Sequence, residues 1–423
     1  MLQTLRNAWK IEELRKKILF TLVIILLYRL GNAIPVPDVN IALLNAYFAQ
    51  QQSTILGLLD VMSGGATIFA LSIQPYINAS IIIQLLCIAI PSLERLSKEG
   101  GEEGRKKIAS ITRYATVAIG LLQGFAYYML IKNNNMLNAD AQGIWSAIVI
   151  ILTFTSGSAL IMWLGEQITE FGIGNGISMI LFASIISRLP TSLITTVRNI
   201  TAGNLQWWLA LLMLIGAIAM IVLIVYVNDA ERRIPVQYAK RVVGRKMYGG
   251  QSTHLPMKVN MSGVMPIIFA QSIASVPATI VAFTGKTDGW VNTWFSNNSI
   301  PYAIIYFLLI IFFAYFYSTI QFNPVEVANN LKKNGGYIPG FRPGKPTSEF
   351  IQKVLNKITL FGAIYLGIIA IVPILISHFS NAAALTGLSL GGTSIIIVVG
   401  VALETVRALE AQMLMRNYKG FLS

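Results

Sequence analysis

A chain of 423 residues with 55% hydrophobic and 12% charged residues lies far from soluble globular composition, where the charged fraction is nearer ~25%. The apolar residues fall in continuous runs of about twenty, not in the ~10-residue alternating segments of a transmembrane β-barrel, so an all-α polytopic membrane protein is predicted and a barrel is excluded. The single cysteine, Cys87, excludes an internal disulfide, and the net charge of +14 points to anionic lipid or nucleic acid according to where it sits.

Residues 1–17 carry Arg6, Lys10, Arg15, Lys16 and Lys17, and Ile18 to Ile34 forms the first apolar run. A signal peptide is disfavoured because Ile34-Pro35-Val36-Pro37 follows instead of a small-residue cleavage site, and many further spans come after it. Asp38 to Ser63 has no Lys or Arg, and within it Thr54 to Met62 (TILGLLDVM) is apolar but too short to cross, which predicts a surface or re-entrant helix. Gly64 to Leu86 (GGATIFALSIQPYINASIIIQLL), continuing to Ile90, is the second span. Ile73, Ile77, Ser80 and Gln84 share one helical face, and Pro75 is expected to interrupt the helix and crowd the carbonyl of Leu71. A packed helix with interhelical hydrogen bonds and a pore-lining helix both fit this stretch. Glu94 to Lys107 follows, dense in charge of both signs.

Further candidate spans are Ile108 to Ile131, Ile144 to Leu164, Ile177 to about Val197, Trp207 to Val227, Val264 to Phe283, Pro301 to Ile320, Ile358 to Ile376 and Thr393 to about Leu409. The total is about ten. The fifth is the weakest, because its apolar run stops near Arg188 and Pro190; if it is counted, the outer loops hold only Lys132, Arg188, Arg198 and Lys286, and both termini are cytoplasmic. About ten spans with both ends inside divide into two inverted five-helix halves, residues 1–200 and 201–423, around a central path. Pro75 and Pro266 each stand two residues before an isoleucine, Ile77 and Ile268. The fifth and tenth spans each follow glycines, Gly172, Gly174 and Gly176 in one case and Gly391 and Gly392 in the other. These matches assign the path to spans two, five, seven and ten.

Two inner loops, 228–260 and 323–357, are longer than connectors need to be. The first contains RRIPVQYAKRV, whose alternation through Ile234, Val236 and Tyr238 predicts a hairpin strand reversed near Gly244. The second opens at Pro324 with a short helix that ends at Gly335-Gly336, before a stiff IPGFRPGKP segment around Arg342. Their basic charge follows from topology alone, whereas their length suggests a large anionic or acidic cytoplasmic partner.

Enzymatic chemistry finds little support. Gly172-Ile173-Gly174-Asn175-Gly176 lacks the strand and spacing of a dinucleotide loop, and there is no P-loop. His254 and His378 fall on opposite sides of the predicted membrane, so no metal site is expected. Neither Ser156 nor Ser158 lies in a nucleophile elbow. A ten-span secondary transporter is the alternative function, but Arg113, Glu166, Arg188 and Glu404 lie near span ends rather than at a midplane.

The segments IFALSIQPYINASIIIQLL, LSKEGGEEGRKKI, WLGEQITEFGIGNGIS, QSTHLPMKVNMSGVMPIIFA, NNLKKNGGYIPGFRPG and GGTSIIIVV, in that order, closely resemble the SecY family, the channel subunits of the bacterial Sec protein translocon. The resemblance implies a non-enzymatic, cofactor-free channel in the bacterial plasma membrane that translocates unfolded secretory polypeptides and releases membrane segments through a lateral gate between spans two/three and seven/eight. It implies a pore ring of Ile77, Ile177, Leu181, Ile268 and Ile397, with Leu181 standing where the bacterial form usually has isoleucine. It also implies a plug of about residues 54–66: Thr54, Ile55, Leu56, Gly57, Leu58, Leu59, Asp60, Val61, Met62, Ser63, Gly64, Gly65 and Ala66. Arg241, Arg245 and Arg342 match loop positions that engage the ribosome or the motor ATPase SecA, and contact with ribosomal RNA through these basic loops is part of that expectation. SecE, SecG, a preprotein or signal sequence and membrane lipid are the other implied partners. Pro75, Pro277, Asn78, Gln84 and Gln271 are expected to keep the gate seam from packing shut.

Overall fold

The computed structural model describes residues 2–40, 43–44, 67–138, 143–203, 206–238, 241–243, 246–248, 252–277, 294, 299–380 and 392–419. The expected plug, Arg245 and the end of the seventh apolar run lie outside them. The amino-terminal elements are α1 (Leu2–Lys10), α2 (Glu12–Gly31), α3 (Gln74–Ala89), α4 (Pro91–Lys98), α5 (Gly101–Asn133), α6 (Ile144–Phe171), α7 (Gly176–Ile186), α8 (Leu189–Thr201) and α9 (Trp207–Asp229). The strands β1 (Glu231–Tyr238), β2 (Arg241–Val243), β3 (Lys246–Tyr248) and β4 (Ser252–Lys258) follow. Then come α10 (Met265–Ala274), α11 (Ile300–Gln321), α12 (Pro324–Lys333), β5 (Gly336–Tyr337), α13 (Lys345–Ser380) and α14 (Gly392–Lys419).

Among the described residues 6 helical segments are long and apolar enough to cross a membrane, and 7 if α3 and α4, bent by 106° where Pro91 follows the extended Ile90, form one broken span. The remaining distance from about ten has local causes. α2 opens with the charged run EELRKK, α14 carries Glu404, Arg407 and Glu410, and α10 has only 10 described residues. The weakest run, the fifth, is helical from Gly176 to Thr201 as α7 and α8, with Ser187 and Arg188 between them.

Pro75 is placed differently from the sequence expectation. It does not break a continuous helix from Gly64 to Leu86: residues 68–73 form turns, and α3 starts only at Gln74 with Pro75 in its first turn. A first-turn proline sacrifices an N–H that has no intrahelical partner anyway, and its fixed φ suits the helix start. The Leu71 carbonyl, expected to be crowded by Pro75, accepts the Gln74 N–H at 3.3 Å. Pro266 occupies the same place in α10, whose N-cap is Val264. The two proline motifs are two copies of one helix start.

Packing joins α3 to α5 and α10, α5 to α6, α7 to α6 and α14, and α11 to α13. The main apolar core runs through Ile24, Ile77, Ile180, Ile268, Tyr306, Leu366 and Ile397. A second core around Val36, Leu44, Tyr127, Ile131 and Phe154 sits beneath the turn that carries Ala70 and Leu71. Ala8 of α1 and Leu14 of α2 pack with Leu409 and Ile173 in a further apolar cluster, a contact invisible in the basic sequence of α1.

The loop hairpin forms as the alternation predicts. β1 pairs antiparallel with β4 from Glu231↔Lys258 to Gln237↔Ser252, and with β5 at Gln237↔Tyr337. Ile234, Val236 and Met257 are buried against Leu331, Ile338, Ile351 and Leu355, so both inner loops share one core. The β2–β3 register Val243↔Lys246 fits the expected reversal near Gly244, which itself lies outside the described residues.

A Cβ on Gly157 of α6 would collide with the Ile68 carbonyl oxygen, so α6 approaches the 68–73 turn only through glycine, whereas Gly216 on α9 faces open space. Gly157→Ala should cost about 1–3 kcal/mol of overpacking against a helix-propensity gain of roughly 0.5–1, a net loss, while Gly216→Ala should keep the gain. Thermal unfolding of the two variants in one detergent checks this; equal melting temperatures would contradict it.

Candidate functional site

The central apolar cluster is built at helix starts. In α3, Gln74-Pro75-Tyr76 leads to Ile77, whose N–H reaches the Ile73 carbonyl at 3.1 Å; in α10, Met265-Pro266-Ile267 leads to Ile268, whose N–H reaches the Val264 carbonyl at 3.3 Å. Each isoleucine is thereby held in the first complete turn of a helix that begins inside the molecule, where Pro75 and Pro266 are buried.

α7 uses a different start. Gly174 takes φ +72°, and the Asn175 side chain accepts from the N–H groups of Ile177 at 3.0 Å and Ser178 at 3.4 Å. The Gly176 N–H donates to Thr169 Oγ1 at 2.9 Å. Orphan donors at the helix start are satisfied in this way without water. The faint dinucleotide-like pattern GIGNG is therefore a helix cap.

These starts gather Ile77, Leu181, Ile268 and Ile397 as buried side chains of one cluster, with the half-buried Ile177 packed on it. The residues come from four helices, α3, α7, α10 and α14, spread from position 77 to 397. Among the described residues the buried polar and charged side chains are Ser, Thr, Gln and Asn, with no carboxylate, ammonium or guanidinium among them. Nothing ionised replaces lost hydration within this cluster.

α3 and α10 pack against each other. Asn78, Gln84, Gln271 and Pro277 are half-buried, and Gln84 Nε2 donates to Ser80 Oγ at 3.2 Å, one turn back on its own helix. On the second long loop Arg342 is exposed, and its carbonyl accepts Thr347 Oγ1 at 2.8 Å, which fixes the turn between Gly340 (φ +89°) and Gly344 (φ +106°). Arg241 lies in β2 opposite Tyr248.

Other candidates are placed elsewhere. Ser156 and Ser158 donate to carbonyls of their own helix, Leu152 at 2.6 Å and Thr155 at 3.0 Å, as back-bonding hydroxyls do. His254 sits in β4 opposite Pro235, and His378 lies in α13. Among the described residues no group of three or more His, Cys, Asp or Glu is arranged for a metal.

Two polar contacts are absent from any sequence signal. Arg113 Nε meets Glu166 Oε1 at 2.9 Å between α5 and α6. Arg407 Nη2 meets Asp229 Oδ1 at 2.6 Å and the Asn228 carbonyl at 2.9 Å, joining α14 to the end of α9. Beside it, burial and the positive charge of Arg407 push the Lys258 ammonium below the usual lysine range.

The geometry defines a class: a multi-pass helical membrane protein whose interior is an apolar cluster formed at the starts of helices from both ends of the chain. The SecY family profile matches residues 67–406. The protein translocase subunit SecY of Streptomyces scabiei is 45% identical over 445 residues, covering 100% of each chain, and that of Mycobacterium tuberculosis is 42% identical over 448 residues with the same coverage. Among solved structures, one described as the structure of a protein conducting channel superposes with TM-score 0.69 at 18% identity, over 94% of this chain and 92% of that one. Sec61 in the canine ribosome-channel complex from the endoplasmic reticulum gives 0.65 at 18% identity, with the same coverage. The chain belongs to the SecY family.

Asn175→Ala removes the cap of α7 and should cost about 1 kcal/mol, whereas Asn175→Asp keeps an acceptor and should cost less. Thermal unfolding of both variants checks this; equal losses would show that the cap does not hold the helix start.

Proposed function

We propose that this chain is the conducting subunit of a protein translocase, passing unfolded secretory polypeptides across the bacterial plasma membrane and releasing apolar segments sideways into lipid. The observation that carries the reading is the apolar cluster of Ile77, Ile177, Leu181, Ile268 and Ile397, assembled from helices in both parts of a SecY-family chain and without an ionised group.

Its physics suits the task. A narrow collar of branched aliphatic side chains dewets, and an ion entering it loses hydration that the wall does not restore. A polypeptide of almost any sequence passes, because the collar offers no hydrogen bonds to retain it. Lateral exit requires α3 and α10 to part so that a segment of ~20 apolar residues reaches lipid. Asn78, Gln84, Gln271, Pro75 and Pro277 are assigned to that seam, and residues 54–66 to the plug.

In this reading the chain has about ten spans in two inverted halves, residues 1–200 and 201–423, with both termini cytoplasmic. α2, α10 and α14 supply the spans beyond the 7 that length and composition admit. Arg241, Arg245 and Arg342, on loops joined through one sheet, form the cytoplasmic docking face. The solved neighbours include channels bound to ribosomes, Sec61 and yeast Ssh1 among them, which supports a ribosome as one partner of that face. SecA, SecE, SecG and ribosomal RNA complete the proposed set. Motive force comes from these cytoplasmic partners rather than from catalysis by this chain.

Reconstitution tests the proposal. Proteoliposomes of the complex should protect a preprotein only when motor and ATP are supplied; solute uptake by this chain alone, with no preprotein passage, would contradict it. Ile268→Asn should raise resting ion conductance about tenfold or more by wetting the ring, whereas Ile268→Leu should leave it near wild type, since each ~1.4 kcal/mol removed from a barrier is a factor of ten. Equal conductance of the two variants would remove Ile268 from the ring.

A further inference from the structure

α10 does not start freely. The linker that brings the chain from β4 into α10, residues Val259 to Val264, runs through a slot lined by three other helices. Its first N–H, that of Val259, donates to the Ala230 carbonyl at 3.0 Å, just beyond the end of α9. Asn260 and Ser262 are buried, and Gly263 turns with φ +63°. A Cβ on Gly400 of α14 would collide with the Val264 side chain, and one on Gly362 of α13 would press on the Val259 carbonyl oxygen. Each helix thus comes close to the linker at a glycine, and Glu404 of α14 also lies against Gly263.

Inside this slot, hydrogen bonds run from α14 to the residue before the Gly263 turn. The Arg407 guanidinium donates to the Asn228 carbonyl at 2.9 Å and to the Asp229 carboxylate at 2.6 Å. The carbonyls in the last turn of α9 lack intrahelical partners and carry the negative end of its dipole, so a cation belongs there. Asn228 Oδ1 accepts from Asn260 Nδ2 at 2.9 Å, and Asn260 Oδ1 accepts from Ser262 Oγ at 3.5 Å. Asn228 thus meets Arg407 through its backbone and the linker through its side chain. Two residues past Ser262 the chain reaches Val264, the N-cap of α10, and four past that it reaches Ile268.

We infer that Arg407 is a positioning residue for the gate: through Asn228 and Asn260 it fixes the linker, and with it the start of α10, so that parting α10 from α3 requires this link to yield. The inference rests on the gate reading of α3 and α10 proposed above. It also connects the docking face to the gate, because Asn260 lies two residues beyond the end of β4, whose ladder with β1 reaches β5. Force on the sheet is passed to α9 through Ala230 and to α10 through this linker.

The test uses the full complex in proteoliposomes with motor and ATP, and two preproteins, one with an intact signal and one whose signal has a shortened apolar core. The readout is the ratio of defective-signal to intact-signal translocation. Arg407→Ala and Asn260→Ala should each raise that ratio at least about threefold, because a released linker lowers the cost of parting α10 from α3. The double variant should not exceed the larger single effect, since both changes cut one chain of contacts. Arg407→Lys, which retains a cation able to reach one acceptor at a time, should fall between wild type and Arg407→Ala. An unchanged ratio in single variants that insert at wild-type level, or effects that multiply in the double variant, would overturn the inference. If Arg407→Ala does not insert, the ratio for Asn260→Ala decides alone. Failure of the wild-type complex to pass either preprotein would instead overturn the channel reading beneath it.

Discussion

A helix that begins inside an apolar interior leaves its first backbone N–H groups without partners, and satisfying them is the constraint on which the rest of this structure depends. α3 and α7 begin with the buried Gln74 and Gly176 and α10 has the buried Pro266 in its first turn, and each meets the constraint with its own chemistry. Pro75 and Pro266 have no N–H to satisfy, while the Asn175 side chain accepts from two donors and Thr169 from a third. Because the starts are satisfied locally, the centre needs neither water nor a charge. The residues in the first two turns, Ile77, Ile177, Leu181 and Ile268, are then free to be aliphatic. An apolar cluster free of ionised groups follows from how these helices begin.

Polarity is moved to the two long loops and the helix ends beside them. The sheet formed by β4, β1 and β5 buries Ile234, Val236 and Met257 against the helices of the second inner loop, so the two loops act as one body. The Arg407 contacts tie α14 to the end of α9, from which β1 of that sheet continues. Arg113 and Glu166, on α5 and α6, are a partly exposed pair whose contribution to stability is modest.

Much of this was legible in the sequence, and the exceptions have physical causes. Paired prolines two residues before Ile77 and Ile268 identified equivalent helix starts, and the alternation of Ile234, Val236 and Tyr238 identified the hairpin strand. Pro75 was legible as an interruption but not as a beginning, because the apolar run extends on both sides of it and hydrophobic runs do not mark where a helix starts. The packing of α1 on α14 was hidden by its basic residues, which face away from the buried Ala8. Arg407 and Asp229 stand 178 positions apart, and no local pattern links an arginine late in one helix to the carbonyl that ends another. Apolar runs suggest about ten spans, whereas 6 or 7 segments among the described residues are long and apolar enough to cross, because α2 opens with charge and α14 carries Glu404, Arg407 and Glu410.

The central claim is that a polypeptide passes through the aliphatic cluster. Photo-crosslinking probes placed singly at Ile77, Ile268 and Ile397 in the assembled complex, with a translocating chain stalled midway, measure it directly. The account predicts crosslinks to the stalled chain from all three positions and none from a probe at Ile218, on the exposed face of α9. Crosslinks confined to probes in outer loops, with the three cluster positions silent, would contradict it.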